Sequence, residues 1–407
     1  MEKEKYINKI SSSTIEFEEG KIKSFDKKSG ITTQSFRVHK DGFMGIHYQS
    51  GKMSDEEGFK RAEENLKVKR PYPFELEPGY ERSRDKTEKL FTDAELMEMA
   101  KKAFAHLNKK YPDFTFGGSF SQEVIERGYE NTRGAKYSNK DGYVCADITL
   151  KHKDSKDIMD GQISFSARKF SMRKFYKNVD NYLENFTKEV EMPEDLIIQM
   201  QYYGFTGNLG SMLDAESVYE KTSLLGGKIG QKVFADDFSV FHCVDDKNCW
   251  MDGFWDGEGV VLKKDKLDYI KNGVIKRVYA DKRIADKYKI KSTGSASFDW
   301  ADIPKNGRIA LTIKRSKKTT KELLNGKYTV IPFTYSGGGF NEKGDYKMPV
   351  QIGLLCDGEK ILGRVPPFTM SSNIFDIFGK DFIGVGKDNP VFNDKSILVR
   401  MTAEKLL

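Results

Sequence analysis

From residue 222 onward the chain is divided into short apolar runs by turn signals. They are Gly226-Gly227, Gly253, Gly257, Gly259, Asn272-Gly273, Gly294, Asn325-Gly326, Gly337-Gly338-Gly339, Gly353 and Asp357-Gly358. Runs this short leave little room for long helices. Strands joined by tight turns, in contrast, need Gly, Asn or Asp wherever the backbone goes left-handed. The spacing predicts a mostly β domain over 222–407.

The first half reads differently. Ile15 and Phe17 share one face of a strand, Gly20-Lys21 turns the chain, and Ile22 opens a second strand. Gln34 to His39 and Phe43 to Tyr48 flank Asp41-Gly42, a strong hairpin signal. Ser54-x-x-Glu57 reads as a capping box, and Phe59, Ala62 and Leu66 give the following helix an apolar stripe. Residues 1–68 are therefore expected to form a small antiparallel sheet with a helix laid across it. Pro71, Pro73 and Pro78 among many charges predict a linker over 69–91. Thr92-x-x-Glu95 opens a second helix striped by Leu96, Met99, Ala100, Ala103, Phe104 and Leu107. Strands follow at Phe114–Val124 and Tyr143–Leu150, and Val179, Tyr182, Leu183, Phe186 and Val190 predict a long helix. Residues 92–221 thus form a middle α+β unit. The expected class is α+β: N-terminal antiparallel sheets with packed helices, then the mostly β C-terminal domain.

Charge and reactive side chains narrow the function. The 68 basic residues exceed the 61 acidic ones by only 7, a small excess on 407 residues that counts against nucleic acid as a partner. The densest basic run, Lys314-Arg315-Ser316-Lys317-Lys318, has no interleaved aromatic residues and reads as a solvated strand end or loop, with phosphate contact as the alternative. The opening Met1-Glu2-Lys3-Glu4-Lys5 has no apolar stretch behind it, and no run approaches the ~20 apolar residues that span a bilayer. A cytoplasmic chain with no membrane partner is expected. Cys145, Cys243, Cys249 and Cys356 are scattered without a C-x-x-C pair, so free, mostly buried thiols are expected.

Three groups supply candidate cleft or turn residues. Asp252, Asp256 and Glu258 are carboxylates among glycines. A carboxylate pair can perform acid–base chemistry if burial splits its pKa values, but glycine neighbours favour side chains that cap the amides of a tight turn. Ser292, Thr293 and Gly294 carry hydroxyls that could orient a peptide backbone, with no His or Lys in view to activate Ser292. Gly338 and Gly339, within the Gly337–Gly339 run, could let another backbone approach closely. That run lacks the Lys-Ser/Thr of a phosphate-binding loop.

The stretch Phe254-Trp255-Asp256-Gly257-Glu258-Gly259-Val260, followed by Lys291-Ser292-Thr293-Gly294-Ser295-Ala296, resembles the signature region of the TldD/PmbA peptidase family. Further pieces match in order: Asn131-Thr132-Arg133-Gly134, the lead-in strand Gly226 to Phe234, the hairpin Ile270 to Val274, Gly338 to Tyr346, and Gly384 to Asp388. Departures are Thr132 in place of Ser, Ser295 and Ser297 where relatives often place Asn and Arg, and a short N-terminus where relatives usually carry a helix. The family's metal-bearing members hold zinc with H-E-x-x-x-H on a helix and a distant Cys. Here none of the five histidines, His39, His47, His106, His152 and His242, is followed by Glu, and the segment where that helix should fall, Thr206 to Ser217, has no His. The resemblance implies a metal-free, PmbA/TldE-like subunit with no cofactor of its own. It implies a TldD-like partner carrying zinc, and a heterodimer that cleaves unfolded or small peptides. The alternatives are a stand-alone peptide-binding homodimer, a nucleic-acid-associated modulator as the family's older naming with DNA gyrase suggests, or an active peptidase with an unrecognised site.

Overall fold

A computed structural model describes residues 1–244, 253–307, 310–392 and 394–405. The chain opens with three long strands, β1 (Glu2–Glu18), β2 (Lys21–Lys40) and β3 (Phe43–Ser50), followed by α1 (Asp55–Glu64), β4 (Arg70–Pro71), β5 (Glu81–Asp85) and α2 (Asp93–Lys110). Next come β6 (Phe114–Asn131), β7 (Lys136–His152), β8 (Gly161–Ala167) and α3 (Met172–Leu183). These strands form one eight-stranded sheet in the order β4-β3-β2-β1-β6-β7-β5, with β8 also on β7. The β1–β2 turn is Glu19-Gly20 and the β2–β3 turn is Asp41-Gly42. All four residues have positive φ, as two-residue hairpins demand.

The second half begins with β9 (Ile197–Gln201), α4 (Tyr203–Met212), α5 (Ala215–Tyr219), β10 (Val240–Cys243), β11 (Lys266–Lys271), β12 (Val274–Ile275), α6 (Lys282–Tyr288), β13 (Leu311–Ile313) and α7 (Thr320–Leu324). It ends with β14 (Thr329–Tyr335), β15 (Gly339–Phe340), β16 (Asp345–Cys356), β17 (Ile361–Val365), β18 (Phe368–Asn373), α8 (Ile374–Ile377), β19 (Phe382–Val385), β20 (Ser396–Arg400) and β21 (Thr402–Lys405). β12-β11-β10-β13 make a four-stranded sheet, and β19-β20-β9-β14-β16-β18-β21 the spine of a nine-stranded one. The nine-stranded sheet is buried on both faces. Val330 and Val350 pack toward the four-stranded sheet, while Ile331, Ile352 and Leu354 join a core with α2, α3, β6 and β7.

The α+β class and the β-rich second half are as expected. Thr92 and Glu95 form the reciprocal cap of α2, which buries Leu96, Ala100, Ala103, Phe104 and Leu107. Four local expectations differ. The units over 1–68 and 92–221 share a single sheet, because β1 pairs with β6 along nearly its whole length. The proline-rich stretch 69–91 contains β4 and β5: proline halts a helix but tolerates a sheet edge. α3 starts earlier than its stripe and ends at Leu183, so Phe186 reaches the core from the following turn. Gly226 to Phe234 is a run of turns whose ladder contact is the single bridge Lys232–Val274.

Candidate functional site

The predicted carboxylates lie where the eight-stranded sheet meets the second half of the chain, and both are buried. Asp256 is bound to backbone on both oxygens. Oδ1 accepts from the amides of Glu258 (2.9 Å) and Val260 (2.9 Å), and Oδ2 accepts from the amide of Ala296 (3.0 Å). One carboxylate therefore closes its own turn and joins it to the segment that begins at Ser292. The glycines follow from the crowding. A Cβ on Gly257 would lie 1.9 Å from the carbonyl oxygen of Ser297. One on Gly259, at φ +76°, would lie 2.4 Å from the Tyr129 hydroxyl.

Thr293 is bound in the same way. Its Oγ1 accepts from the Ala280 amide (2.8 Å) and meets Ser295 Oγ at 2.8 Å. Ser292 is half-buried, and its hydroxyl makes one long bond to the Ala280 carbonyl (3.3 Å). Gly294, at φ +63°, turns beneath Leu262. Asp256, Glu258, Thr293 and Gly294 are thus assembled in one place. Gly338 and Gly339 are elsewhere, where the chain passes from β14 to β15 alongside β16 in the nine-stranded sheet; Gly338 is exposed and Gly339 partly so. Asp252 and Cys249 lie outside the described residues. Cys145, Cys243 and Cys356 are free; Cys356 is buried and the other two are half-buried.

Glu258 is the unusual group. Its Oε1 bonds the Tyr72 hydroxyl (2.7 Å) and its Oε2 accepts from the Lys282 amide at the start of α6 (3.0 Å). Burial, then the charges of Asp256 and Asp281, push its pKa to about 8. The Tyr72 hydroxyl can either donate or accept, so the site holds Glu258 with or without its proton. Asp281 is fully buried and caps α6 through the Ile284 amide (2.7 Å), while its Oδ2 has no hydrogen-bond partner among the described residues. Burial raises its pKa as well.

The opposite wall comes from strands whose role the sequence reading missed. Glu4 and Tyr6 on β1 and Arg37 and His39 on β2 alternate inward, and all four are buried. Arg37 donates to the carbonyls of Gly257 (2.9 Å) and Asp299 (2.6 Å) and lies over the Tyr6 ring. Tyr6 donates to the Gly257 carbonyl (2.7 Å). Glu4 accepts from Tyr129 (3.0 Å) and lies 3.1 Å from His39 Nε2. Burial alone would raise the Glu4 pKa, but the His39 hydrogen bond and the Arg37 charge outweigh it and hold the carboxyl at about 2. The signal was present as Glu4, Tyr6 and Asn8 on one strand face, a polar stripe that reads as solvated until a partner covers it. The stretch 69–91 contributes too. Tyr72 reaches Glu258, and Arg82 forks onto Asp265 (2.9 Å on one arm) while lying 4.0 Å from the Phe254 ring centroid.

A zinc ion does not fit the segment where the family resemblance would put it. α4 buries Phe205, Thr206, Leu209 and Gly210, and Asp214 is spent capping α5 through the Ser217 amide (2.9 Å). Among the described residues no three of His, Cys, Asp and Glu converge on a point that could hold a metal. The histidines are dispersed: His39 bonds Glu4, His106 stacks on Tyr176, and His242 accepts from the Ala310 amide.

A long-stranded sheet locked by buried carboxylates onto a glycine-turned β region defines an α+β class known from solved structures. TldE from Thermococcus kodakarensis superposes with a TM-score of 0.80 at 16% identity, covering 100% of this chain and 97% of that one. A Thermotoga maritima protein proposed as a modulator of a DNA gyrase gives 0.77 at 20% identity, over 99% and 96%. A Bacteroides thetaiotaomicron protein described in the same way gives 0.73 at 14%, over 100% and 95%. A family profile described as the PmbA/TldA metallopeptidase C-terminal domain matches residues 196–400, just over half of the chain. The chain belongs to the PmbA/TldD family. An uncharacterized protein of Methanocaldococcus jannaschii is 24% identical over 283 residues, 64% of this chain; the match spans 62% of that relative's length.

Proposed function

We propose that this chain is the non-catalytic, PmbA/TldE-like subunit of a two-chain cytoplasmic peptidase. A TldD-like partner carries the zinc, and unfolded or small peptides are the substrates. The observation that carries this reading is the chemistry of α4 and α5. Where a zinc-binding member would project two imidazoles, this chain packs an apolar face and a capping aspartate. The second support is that Asp256 is committed to three backbone amides, which leaves it poorly placed for activating water. The work left to the chain is to complete the walls of the partner's cleft and hold an extended substrate, by backbone pairing where a strand edge is open.

The test is reconstitution with a zinc-bearing relative. The isolated chain is expected to leave an unfolded fluorescent peptide intact, and the mixture is expected to cleave it and to lose that activity with a chelator. Cleavage by the isolated chain that a chelator abolishes would overturn the proposal.

A further inference from the structure

The basic run at 314–318 is joined in the fold by cations from distant elements. The outer face of the four-stranded sheet follows from its register: Phe241 on β10 is opposite Asp268 on β11 and Thr312 on β13. The alternate residues Val240, Tyr269 and Ile313 belong to the core, and a register shift at Val240–Phe241 turns Ile270 inward as well. Lys266 shares the outer face with Asp268 and holds its ammonium 3.8 Å from the Phe241 ring centroid. A cavity of about 640 Å³ opens over this face, lined by Lys266, Lys271, Lys314, Arg315 and Lys395 against the one carboxylate of Asp268. That volume falls within the range of ligand sites.

Three features separate this cavity from a solvated lysine patch. Lys395 is only 5% exposed and donates to Thr312 Oγ1, which places a cation in the floor of the cavity. Arg315 is fixed at the rim by bonds to the Gly386 carbonyl (2.7 Å) and Asn389 Oδ1 (2.9 Å). Lys271 and Lys314 are exposed, and neither has an ion-pair partner among the described residues. Lys266 is paired with Asp268 at 3.6 Å, and the two exposed cations without such a partner among the described residues, Lys271 and Lys314, call for a ligand of at least two negative charges, more than one peptide carboxylate supplies. Lys266 occupies a face of the aromatic ring, which disfavours a stacked base as the anchor.

We propose that this face binds a small phosphate-bearing ligand of two or more negative charges, seated between Lys271, Lys314, Arg315 and Lys395. The site is independent of the peptidase assignment. The test is calorimetric titration of the full chain with inorganic pyrophosphate, and in parallel with ADP, at constant ionic strength. The expected result is saturable one-to-one binding, weakened about tenfold or more in Lys271→Gln/Lys314→Gln. Lys317→Gln/Lys318→Gln removes the same charge outside the cavity and is expected to bind within about twofold of the parent, since exposed long-range charge is screened. Equal affinity for both probes assigns the phosphate alone; tighter ADP binding assigns a nucleotide. No saturable binding of either probe, equal loss in both double variants, or binding confined to an oligonucleotide would overturn the proposal.

Discussion

The turn at 254–260 and the glycine run at 337–339 that links β14 to β15 have the same outward mark, glycines among strand residues, and the fold uses them in opposite ways. In the first, glycine is required because other backbone and Tyr129 crowd the turn, and both oxygens of Asp256 are spent on backbone amides, one of them in the segment that begins at Ser292. In the second, Gly337 and Gly339 face open space, and Gly338 alone is pressed against its own sheet, 2.2 Å from the Lys347 carbonyl as measured from a Cβ position. A glycine signature therefore records where backbones meet, and the side chains around it decide whether the place is a joint or an open surface.

Substitutions can break this contrast or sharpen it. The largest effect is expected at Asp256. Asp256→Ala orphans two buried amides and the part-buried one of Val260, and at about 1–3 kcal/mol for each unpaired buried donor the loss is on the order of 3 kcal/mol or more, read by denaturant unfolding. On the facing wall, Arg37→Ala leaves Glu4 buried with one charged partner fewer and is expected to cost about 3–5 kcal/mol. Gly338→Ala should cost less, about 1–3 kcal/mol, and should expose only the β15–β16 hairpin to hydrogen exchange. An effect at Gly338 as large as that at Asp256 would erase the distinction. Ser292→Ala, which loses one long bond, is expected to cost below about 1 kcal/mol and leave exchange elsewhere unchanged.

The joint also carries its own pH signature. Glu258 titrates near 8 in the folded chain and near 4.5 when unfolded. The stability it contributes is full below 4.5 and drains between 4.5 and 8, by up to about 1.4 kcal/mol per pH unit for one proton. Glu4 runs the other way. Its pKa of about 2 adds stability above 4.5, and that is lost as pH falls from 4.5 toward 2. Glu258→Gln should flatten the alkaline side of the stability curve and Glu4→Gln the acid side. Unchanged curves in both variants would show that these groups are not held as described.

Much of the local structure was legible because its signals are local. Asp41-Gly42 specifies a hairpin through backbone sterics alone, and Thr92 with Glu95 satisfies its own helix end. The capping role favoured for Asp256 was legible for the same reason, since two of its three partners are within four residues. What stayed hidden is long-range. Glu4 and Arg37 look like surface charges until β1 pairs with β6 and the sheet closes on Gly257, more than 200 residues away. The stretch 69–91 reads as a linker because its prolines and charges are the residues of loops, and its function as a strap depends on Asp265 and Glu258 arriving from the other half. The end of α3 was missed for a related reason: Phe186 keeps the helical stripe in sequence while filling the core from a turn.

The most direct test is Asp256→Asn, which keeps two of the three bonds and sets an amide group against the Ala296 amide. Melting temperature and peptide turnover should be measured on the same preparation of this chain mixed with a zinc-bearing relative. The joint reading predicts that both fall together and that turnover recovers when the assay is cooled below the lowered melting point. Turnover abolished at an unchanged melting temperature would place Asp256 in the chemistry and contradict it.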